Sequence, residues 1–360
     1  MSNVIGKNIT LTLFGESHGP YVGATLDGLP NGIPVSEAEI QNELSKRRPS
    51  FVGETPRHEK DDFQIISGVF QGFTTGAPLT ILIPNENVNS KAYESEVRSF
   101  RPNHADYVAH EKYHGFEDYR GGGHFSGRIS AAIVAVCAII KTYLESKGIQ
   151  IASHILSAGG ILDEGFDPVH PEKQVRKLLA SSFPLIDQKN EEKMRELFEK
   201  VAKEHDSLGG QIETAIIGLP VGLGEPWFGR FDGVLSNAIM SIGGVRGVVF
   251  GDIDSQEDLR GSSFNDPFIL EGGEVKTKTN HSGGVQGGIS NGMPVLFHSF
   301  VKPTPSIGLP QQTVNENKEA TTLSIQGRHD PCFLRRVTPV INALTAFVTM
   351  DFLLGEFGRK

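Results

Sequence analysis

The chain has 360 residues, 38% of them hydrophobic and 21% charged, a composition that sustains a sizeable core and excludes an extended disordered protein. Its 43 acidic residues outnumber 34 Lys and Arg for a net charge of -9, which excludes nucleic-acid binding through a broadly basic face. Any anion it binds must meet a local cluster of positive charge. Two cysteines, Cys137 and Cys332, exclude a disulfide framework and a thiolate-built structural zinc site, and a reducing, cytosolic setting is expected.

From the N-terminus, no basic stretch precedes an apolar segment as in a secretory signal. Ile9 to Phe14 alternates as a strand, and Ser36 to Arg48 reads as a helix opened by a capping box of Ser36 and Glu39. Phe63 to Phe70 and Leu79 to Ile83 read as strands. The most apolar run, Ile129 to Ile140, falls short of the ~20 residues of a membrane span. With its continuation to Ser146 and Gly148 it predicts a helix buried on most faces and stopped by a glycine cap. Asp187 to His205 predicts the opposite kind, with Met194, Leu197, Phe198 and Val201 forming one narrow apolar stripe. Gln211 to Leu219 and Met293 to Phe300 read as strands, and Arg230 to Ile242 and Phe333 to Leu354 as apolar helices, the last bent near Pro339. Without a linker or charge block, one domain over residues 1–360 is expected.

A repeat bears on architecture. Gly72-x-x-x-Gly76-x-Pro78 leads into a strand, as does Gly288-x-x-x-Gly292-x-Pro294, and each strand is followed by a loop with Arg, His and Asp and then an apolar helix. The fold class expected is mixed α/β, a β-α-β sandwich with the apolar helices layered between two antiparallel sheets in two pseudo-twofold halves. The competing reading is chance likeness of glycine-rich loops.

Neither Gly121-Gly122-Gly123 nor Ser282 to Gly288 completes a phosphate-loop or dinucleotide fingerprint. Such runs still expose N–H groups and admit close approach of an anion or planar cofactor, although tight turns are their commoner use. His110-Glu111-Lys112-Tyr113-His114 spells H-E-x-x-H, which on a helix binds zinc, but Gly115 ends the helix at once and Lys112 adds a cation. Phe14-Gly15-Glu16-Ser17-His18-Gly19 presents a hydroxyl and an imidazole at a strand exit. Asn103 or Asp106 suits a helix cap, and Asp330-Pro331 suits an N-cap followed by a first-turn proline. Ten basic residues (Arg47, Arg48, Arg57, Arg101, Arg120, Arg128, Lys302, Arg328, Arg335, Arg336) lie in or beside these loops. Their recurrence in an acidic chain points to a small ligand with several negative charges, gripped by bidentate arginine contacts.

Taken together, Gly15-Glu16-Ser17-His18-Gly19, Arg47-Arg48-Pro49, Thr74-Thr75-Gly76, Arg101-Pro102-x-His104-Ala105-Asp106, Tyr119-Arg120-Gly121-Gly122-Gly123, Asn280-His281-x-Gly283-Gly284, Lys302-Pro303-Thr304 and Gly327-Arg328-His329-Asp330-Pro331-Cys332 resemble the chorismate synthase family over essentially the whole chain. The resemblance implies a flavin-dependent lyase of the shikimate pathway. It would convert 5-enolpyruvylshikimate 3-phosphate to chorismate and phosphate by 1,4-anti elimination, needing reduced FMN without net redox change. It implies the β-α-β sandwich, a homotetramer, and reductant from an external flavin reductase or an NADPH-dependent source.

Carried over by residue, the resemblance makes His18 the acid for the departing phosphate and His104 the group that stabilises and protonates reduced flavin near N1. Asp330 would act at flavin N5, with Ser17 positioning its neighbours. FMN would lie against His124, Phe125 and Ser126, Asn237 and Ala238, Gly287, Lys302, Pro303, Thr304, Pro305 and Ser306, and Arg328. Arg47, Arg48, Arg101, Arg128 and Arg335 would take the substrate's phosphate and carboxylates. The chain departs from the commonest family pattern where His124 replaces an arginine, where Pro305 replaces a serine, and where a second family arginine is missing and Gly53 occupies the nearest place, which weighs against direct NADPH contact. Two rival readings remain: a zinc hydrolase using His110, Glu111 and His114, and a non-catalytic flavin- or anion-binding module.

Overall fold

Alternation of apolar and polar residues builds the first sheet. The computed structural model describes residues 3–51, 54, 60–86, 97–253, 259–325 and 330–356. Strands β1 (Val4–Ile5), β2 (Thr10–Gly15), β3 (Tyr21–Asp27), β4 (Gln64–Ser67) and β7 (Leu79–Pro84) form an antiparallel sheet in the order β1-β2-β3-β7-β4, with a small hairpin of β5 (Val69–Phe70) and β6 (Phe73–Thr74) before β7. In β7, Leu79, Ile81 and Ile83 are buried while the residues between them are partly exposed, as a half-covered strand requires. The single strand expected over Phe63 to Phe70 is broken at Gly68, whose φ of +87° and close approach to Leu79 turn the chain out of the sheet. Helix α1 (Glu37–Ser45) opens as expected: Ser36 accepts a hydrogen bond from the Glu39 N–H at 3.3 Å.

Helices α2 (Asp106–Tyr113) and α3 (Ser130–Ser146) follow, then the second half: β8 (Gln150–Ala158), β9 (Ile161–Leu162), α4 (Glu172–Leu179), α5 (Glu191–Lys203), β10 (Gly210–Ile217), α6 (Phe231–Met240), β11 (Val245–Phe250) and the short α7 (Gly261–Phe264). The chain continues through hairpins β12 (Phe268–Glu271) with β13 (Glu274–Thr277) and β14 (Val285–Gln286) with β15 (Ile289–Ser290), then β16 (Val295–Val301), the hairpin β17 (Gln311–Val314) with β18 (Ala320–Leu323), and α8 (Leu334–Glu356). The second antiparallel sheet runs β9-β8-β10-β16-β11.

The C-terminus of α3 is a Schellman turn. Ile149 N–H bonds to Leu144 O and Gly148 N–H to Glu145 O, both at 3.0 Å, with Gly148 at φ +82°. Helix α3 packs on β3 and β7 of the first sheet and touches β8 of the second, while α8 packs on α3, β8 and β10. One buried cluster joins both sheets through these two helices. The helical stretch Gly127–Ser146 and α8 are each long and apolar enough to cross a membrane, longer than the apolar run seen in the sequence, yet they are 72% and 78% buried inside the fold. Pro339 lies within α8 and cannot donate to the carbonyl of Arg335; the Thr338 hydroxyl does so instead at 2.8 Å. Helix α8 begins only at Leu334, so Asp330 does not cap it and Pro331 is not its first residue. Near the other end of α8 the buried Asp351 carboxylate accepts the backbone N–H groups of Lys7, Asn8 and Ile9, tying the chain's two ends together.

Hydrogen bonds recur between the halves. The Thr74 hydroxyl donates to Pro30 O at 2.7 Å and accepts Ile33 N–H at 2.9 Å. The Ser290 hydroxyl donates to Pro220 O at 2.7 Å and accepts Leu223 N–H at 2.9 Å. Each set braces the loop after one central strand, Gly28-Leu29-Pro30 after β3 and Gly218-Leu219-Pro220 after β10.

Candidate active site

Strand β2 ends at Gly15 (φ +98°), and the turn beyond it is closed by Gly19 N–H on Glu16 O at 3.0 Å. Ser17, fully buried, donates its backbone N–H to Gly123 O at 3.1 Å, which joins this turn to the glycine run. Gly121, Gly122 and Gly123 take φ of 59°, 86° and 52° in succession, a path that side chains would obstruct. A Cβ on Gly121 would lie 2.2 Å from His18 Cε1 and 3.0 Å from Ser17 Oγ; one on Gly122 would lie 3.5 Å from His104 Cε1. The bare backbone of two adjacent glycines thus carries His18 on one residue and His104 on the next. His124 fixes the same run, with Nδ1 2.8 Å from Gly15 O and Nε2 3.2 Å from Asn3 Oδ1.

His104 belongs to the loop entering α2. Asp106, the first helical residue, lies 2.7 Å from His104 Nδ1 and receives Arg101 through Nε at 2.6 Å and Nη2 at 2.7 Å. Burial alone would push the Asp106 carboxyl up, but the bonds and charges of Arg101 and His104 hold it well below the usual carboxylate range. Asp106 is no helix cap: the N-cap is Ala105, without a side-chain bond. Arg101 Nη1 donates to Ser306 Oγ at 3.2 Å, and Lys302 Nζ to Asn103 O at 2.6 Å, so the 302–306 segment lies along this loop. Burial, with Arg246 nearby, lowers the Lys302 ammonium pKa. Thr304 Oγ1 is buried without a partner among the described residues, while Thr304 O accepts the Ser207 hydroxyl.

Of the remaining positions expected against a cofactor, Phe125 is half exposed and Ser126 accepts Arg128 N–H at 3.3 Å. The end of α6 adjoins them: Lys302 N–H bonds to Gly244 O, and a Cβ on Gly243 would sit 3.9 Å from Phe125 O. On α6, Asn237 is exposed and Ala238 buried. Pro303 and Pro305 flank Thr304. Gly287 stands apart at the opposite end of α6, where Phe231 N–H bonds to Gly288 O. Arg328 lies outside the described residues, as do Arg57 and Gly53.

The arginines are not equivalent. Arg128 donates Nε to Asn85 Oδ1 at 2.9 Å, Nη2 to Pro84 O at 3.0 Å and Nη1 to the buried Asp61. Arg335 lays Nε and Nη2 across the Glu54 carboxylate at 2.7 and 2.8 Å and gives Nη1 to Lys46 O. Both therefore have every guanidinium nitrogen engaged within the protein. Arg47 donates Nη2 to Gly127 O and Ser130 Oγ, each at 3.0 Å, while Arg48 donates to Lys60 O. The Nε atoms of both are buried without a partner among the described residues. Burial, aided by Arg336 and Arg128 and opposed by Asp61, brings the Arg47 guanidinium down to about 9. Asp330 pairs with Arg336, and burial pushes its carboxyl up against the pull of Arg336, with Glu54 adding to the rise. A carboxyl so placed is suited to proton exchange.

A family model described as chorismate synthase matches residues 9–354. The chain belongs to the chorismate synthase family. It is 45% identical over 359 residues to the chorismate synthase of Wolinella succinogenes, covering 99% of this chain and 96% of that protein. With that of Thermococcus gammatolerans it shares 43% over 352 residues, 97% of each. A solved structure titled as the crystal structure of chorismate synthase superposes with a TM-score of 0.77 at 28% identity, covering 98% of this chain and 94% of that one.

The chorismate synthase frame also disposes of the H-E-x-x-H string. His114 is the left-handed C-cap of α2 (φ 56°) and not a member of its last turn, and His110 Nδ1 lies 2.6 Å from Arg98 Nη2. No three potential metal ligands gather among the described residues. Sequence reasoning missed Asp61, Glu54 and Asn85, the partners that hold the arginines. Asp61 and Glu54 carry no local signal, whereas the duplicated Gly-Leu-Pro loops were open to a search for internal repeats.

Proposed function

We propose that this protein is a carbon–oxygen lyase that eliminates phosphate from 5-enolpyruvylshikimate 3-phosphate in the 1,4-anti sense to give chorismate, with reduced FMN required and no net redox change. The observation that carries this reading is the pair of imidazoles, His18 and His104, on adjacent residues of one side-chain-free run, beside a segment bearing Lys302 and the unpartnered Thr304 hydroxyl. That hydroxyl and the bare glycine backbone fit a planar, phosphate-bearing cofactor. His124 to Ser126, Asn237, Ala238, Gly287, Lys302 to Ser306 and Arg328 would hold it, with Gly287 reaching it only across the length of α6. When bound, reduced FMN supplies electron density that eases cleavage of the C–O bond to phosphate.

The chain's own groups do the rest. His18 gives a proton to the departing phosphate, neutralising charge as the bond stretches. His104 holds an exchangeable proton at Nε2, the nitrogen remote from Asp106. Asp330, with its raised pKa, would act at flavin N5 and so help remove the C6 hydrogen. Ser17 positions the turn, and Arg47, Arg48 and Arg101 bind the anionic groups. Arg128 and Arg335 contribute positive field, and direct contact requires them to exchange an internal partner.

The four-strand order β2-β3-β7-β4, repeated as β8-β10-β16-β11 with a different edge strand, and the matched Thr74 and Ser290 bonds support a single domain built as a β-α-β sandwich of two pseudo-twofold halves. A cytoplasmic homotetramer supplied by an external flavin reductase or NADPH-dependent reductant, with neither nucleic acid nor membrane as partner, completes the reading. The test is an anaerobic assay with the phosphorylated substrate, following chorismate absorbance with oxidised and with reduced FMN. Turnover is expected only with reduced FMN. Equal rates with both forms, or none with either, overturn the proposal.

A further inference from the structure

We propose that Asp106 is a positioning residue for this reaction: its carboxylate holds His104 at Nδ1 and Arg101 at Nε and Nη2, leaving His104 Nε2 toward Gly122 and Arg101 Nη1 toward Ser306. The inference rests on the functional reading above and extends it to a residue with no role there. Asp106 stands where the N-terminal dipole of α2 favours an anion, but its oxygens are not spent on helix N–H groups. They turn back into the preceding loop, where Oδ2 also accepts the Arg101 backbone N–H at 3.1 Å. The side chain is largely buried and the carboxyl stays ionised.

An ionised carboxylate only accepts, and although Nδ1 makes no in-line hydrogen bond among the described residues, the Asp106 oxygen 2.7 Å from it disfavours a bare ring nitrogen there and favours N–H. That favours the tautomer with hydrogen at Nδ1, which leaves Nε2 as the nitrogen facing the site. The Nε2 atom lies 3.6 Å from where a Cβ on Gly122 would stand, so it faces the glycine run. The two-bond fork to Arg101 is rigid in the same way and aims its third nitrogen at the 302–306 segment. One carboxylate therefore sets both the proton-exchanging atom of His104 and the direction of a cation against the proposed cofactor segment.

The experiment uses the full chain labelled with 15N-histidine, with His104→Gln identifying the His104 signals, and compares wild type with Asp106→Asn and Asp106→Glu. Wild-type His104 is expected as the Nδ1–H form. Asparagine can present its NH2 to Nδ1, so Asp106→Asn should admit the opposite tautomer and lower kcat by roughly 100-fold or more, the scale on which a positioned acid or base acts. Asp106→Glu should recover the Nδ1–H form and part of the rate. Arg101→Lys breaks the fork and should raise KM more than it lowers kcat, leaving the His104 tautomer unchanged. A wild-type tautomer and wild-type kcat in Asp106→Asn overturn the proposal, as does an Nε2–H form in the wild type. If the wild type forms no chorismate with reduced FMN, the functional reading falls separately, and the tautomer measurement still decides what Asp106 does to His104.

Discussion

His154 stands directly across the β8–β10 ladder from Glu213, with its Nε2 2.8 Å from Glu213 Oε2. Its Nδ1 lies 3.1 Å from Asp163 Oδ2, so both ring nitrogens face carboxylates in a fully buried site away from the glycine run. Burial alone would discharge the ring, but Asp163 and Glu213 outweigh it and raise the pKa above the ordinary 6.5. Glu213 is buried too, yet bonds from His154 and His298 and the Phe166 N–H bring it down to about 2 from the ordinary 4.5.

The two shifts act on opposite sides of neutrality. The raised His154 pKa gives stability that is complete below pH 6.5 and is lost as pH climbs through the folded-state value. The depressed Glu213 pKa gives stability that is complete above pH 4.5 and is lost as pH falls toward about 2. Denaturant midpoints measured from pH 5 to 9 should therefore decline at the alkaline end. His154→Gln should cost about 3 kcal/mol at pH 6 and flatten that decline; an unchanged alkaline slope in the variant would count against the buried cation.

Asp351 ties the N-terminal loop to α8 through the N–H groups of Lys7 at 3.0 Å, Asn8 at 2.6 Å and Ile9 at 2.9 Å. Truncating it leaves buried donors unmet, each hydrogen-bonded until then to a charged group. Asp351→Ala should lower unfolding free energy by about 3 kcal/mol, with turnover per folded molecule unaltered. Chemical denaturation and an active-site titration measure the two quantities.

His18→Ala and His104→Ala should each lower turnover by roughly a hundredfold or more, as the loss of a positioned acid or base does. Both side chains lie beside the glycine run, so the fold should tolerate their loss. Folded variants with wild-type rates would refute the roles given to them.

Gly121→Ala places a methyl 2.2 Å from the His18 ring at φ 59°, whereas Gly160→Ala, at φ +87°, meets nothing within 4 Å. Both should cost about 1 kcal/mol in backbone strain. Only the first should depress kcat, by tenfold or more. Equal kcat values in the two variants would show that the imidazole is not held by that glycine.

Exhaustive chelation should leave the anaerobic rate unchanged, and His114→Ala should retain it within about twofold, since His114 caps a helix and shares no ligand cluster among the described residues. A rate restored only by added zinc would revive the hydrolase reading.

Much of this architecture is legible in the chain. The alternation in Leu79 to Ile83, the Ser36 cap and Gly148 report on neighbours a few residues away, and the structure keeps each of them. The glycine run beside His18 was legible as a loop able to admit a ligand, but not as the floor under two imidazoles from separate segments. Arg128 and Arg335 show the limit. Their partners Asp61 and Glu54 are 67 and 281 residues distant in sequence, and no local periodicity encodes a buried ion pair of that span. Arginines that look available for an anion in one dimension are already occupied in three. The Asp330-Pro331 cap failed because α8 begins only at Leu334, three residues beyond Pro331.

The last helix has a bearing on biosynthesis. Helix α8 covers strands β8 and β10, which the ribosome makes well over a hundred residues earlier. Until α8 is made, that sheet's oily inner surface lacks the helix that covers most of it, and α3, made earlier still, touches its edge without its companion. Completion of the second half must therefore await synthesis of α8, and truncation before Leu334 should produce a sticky, chaperone-bound product instead of a smaller soluble enzyme.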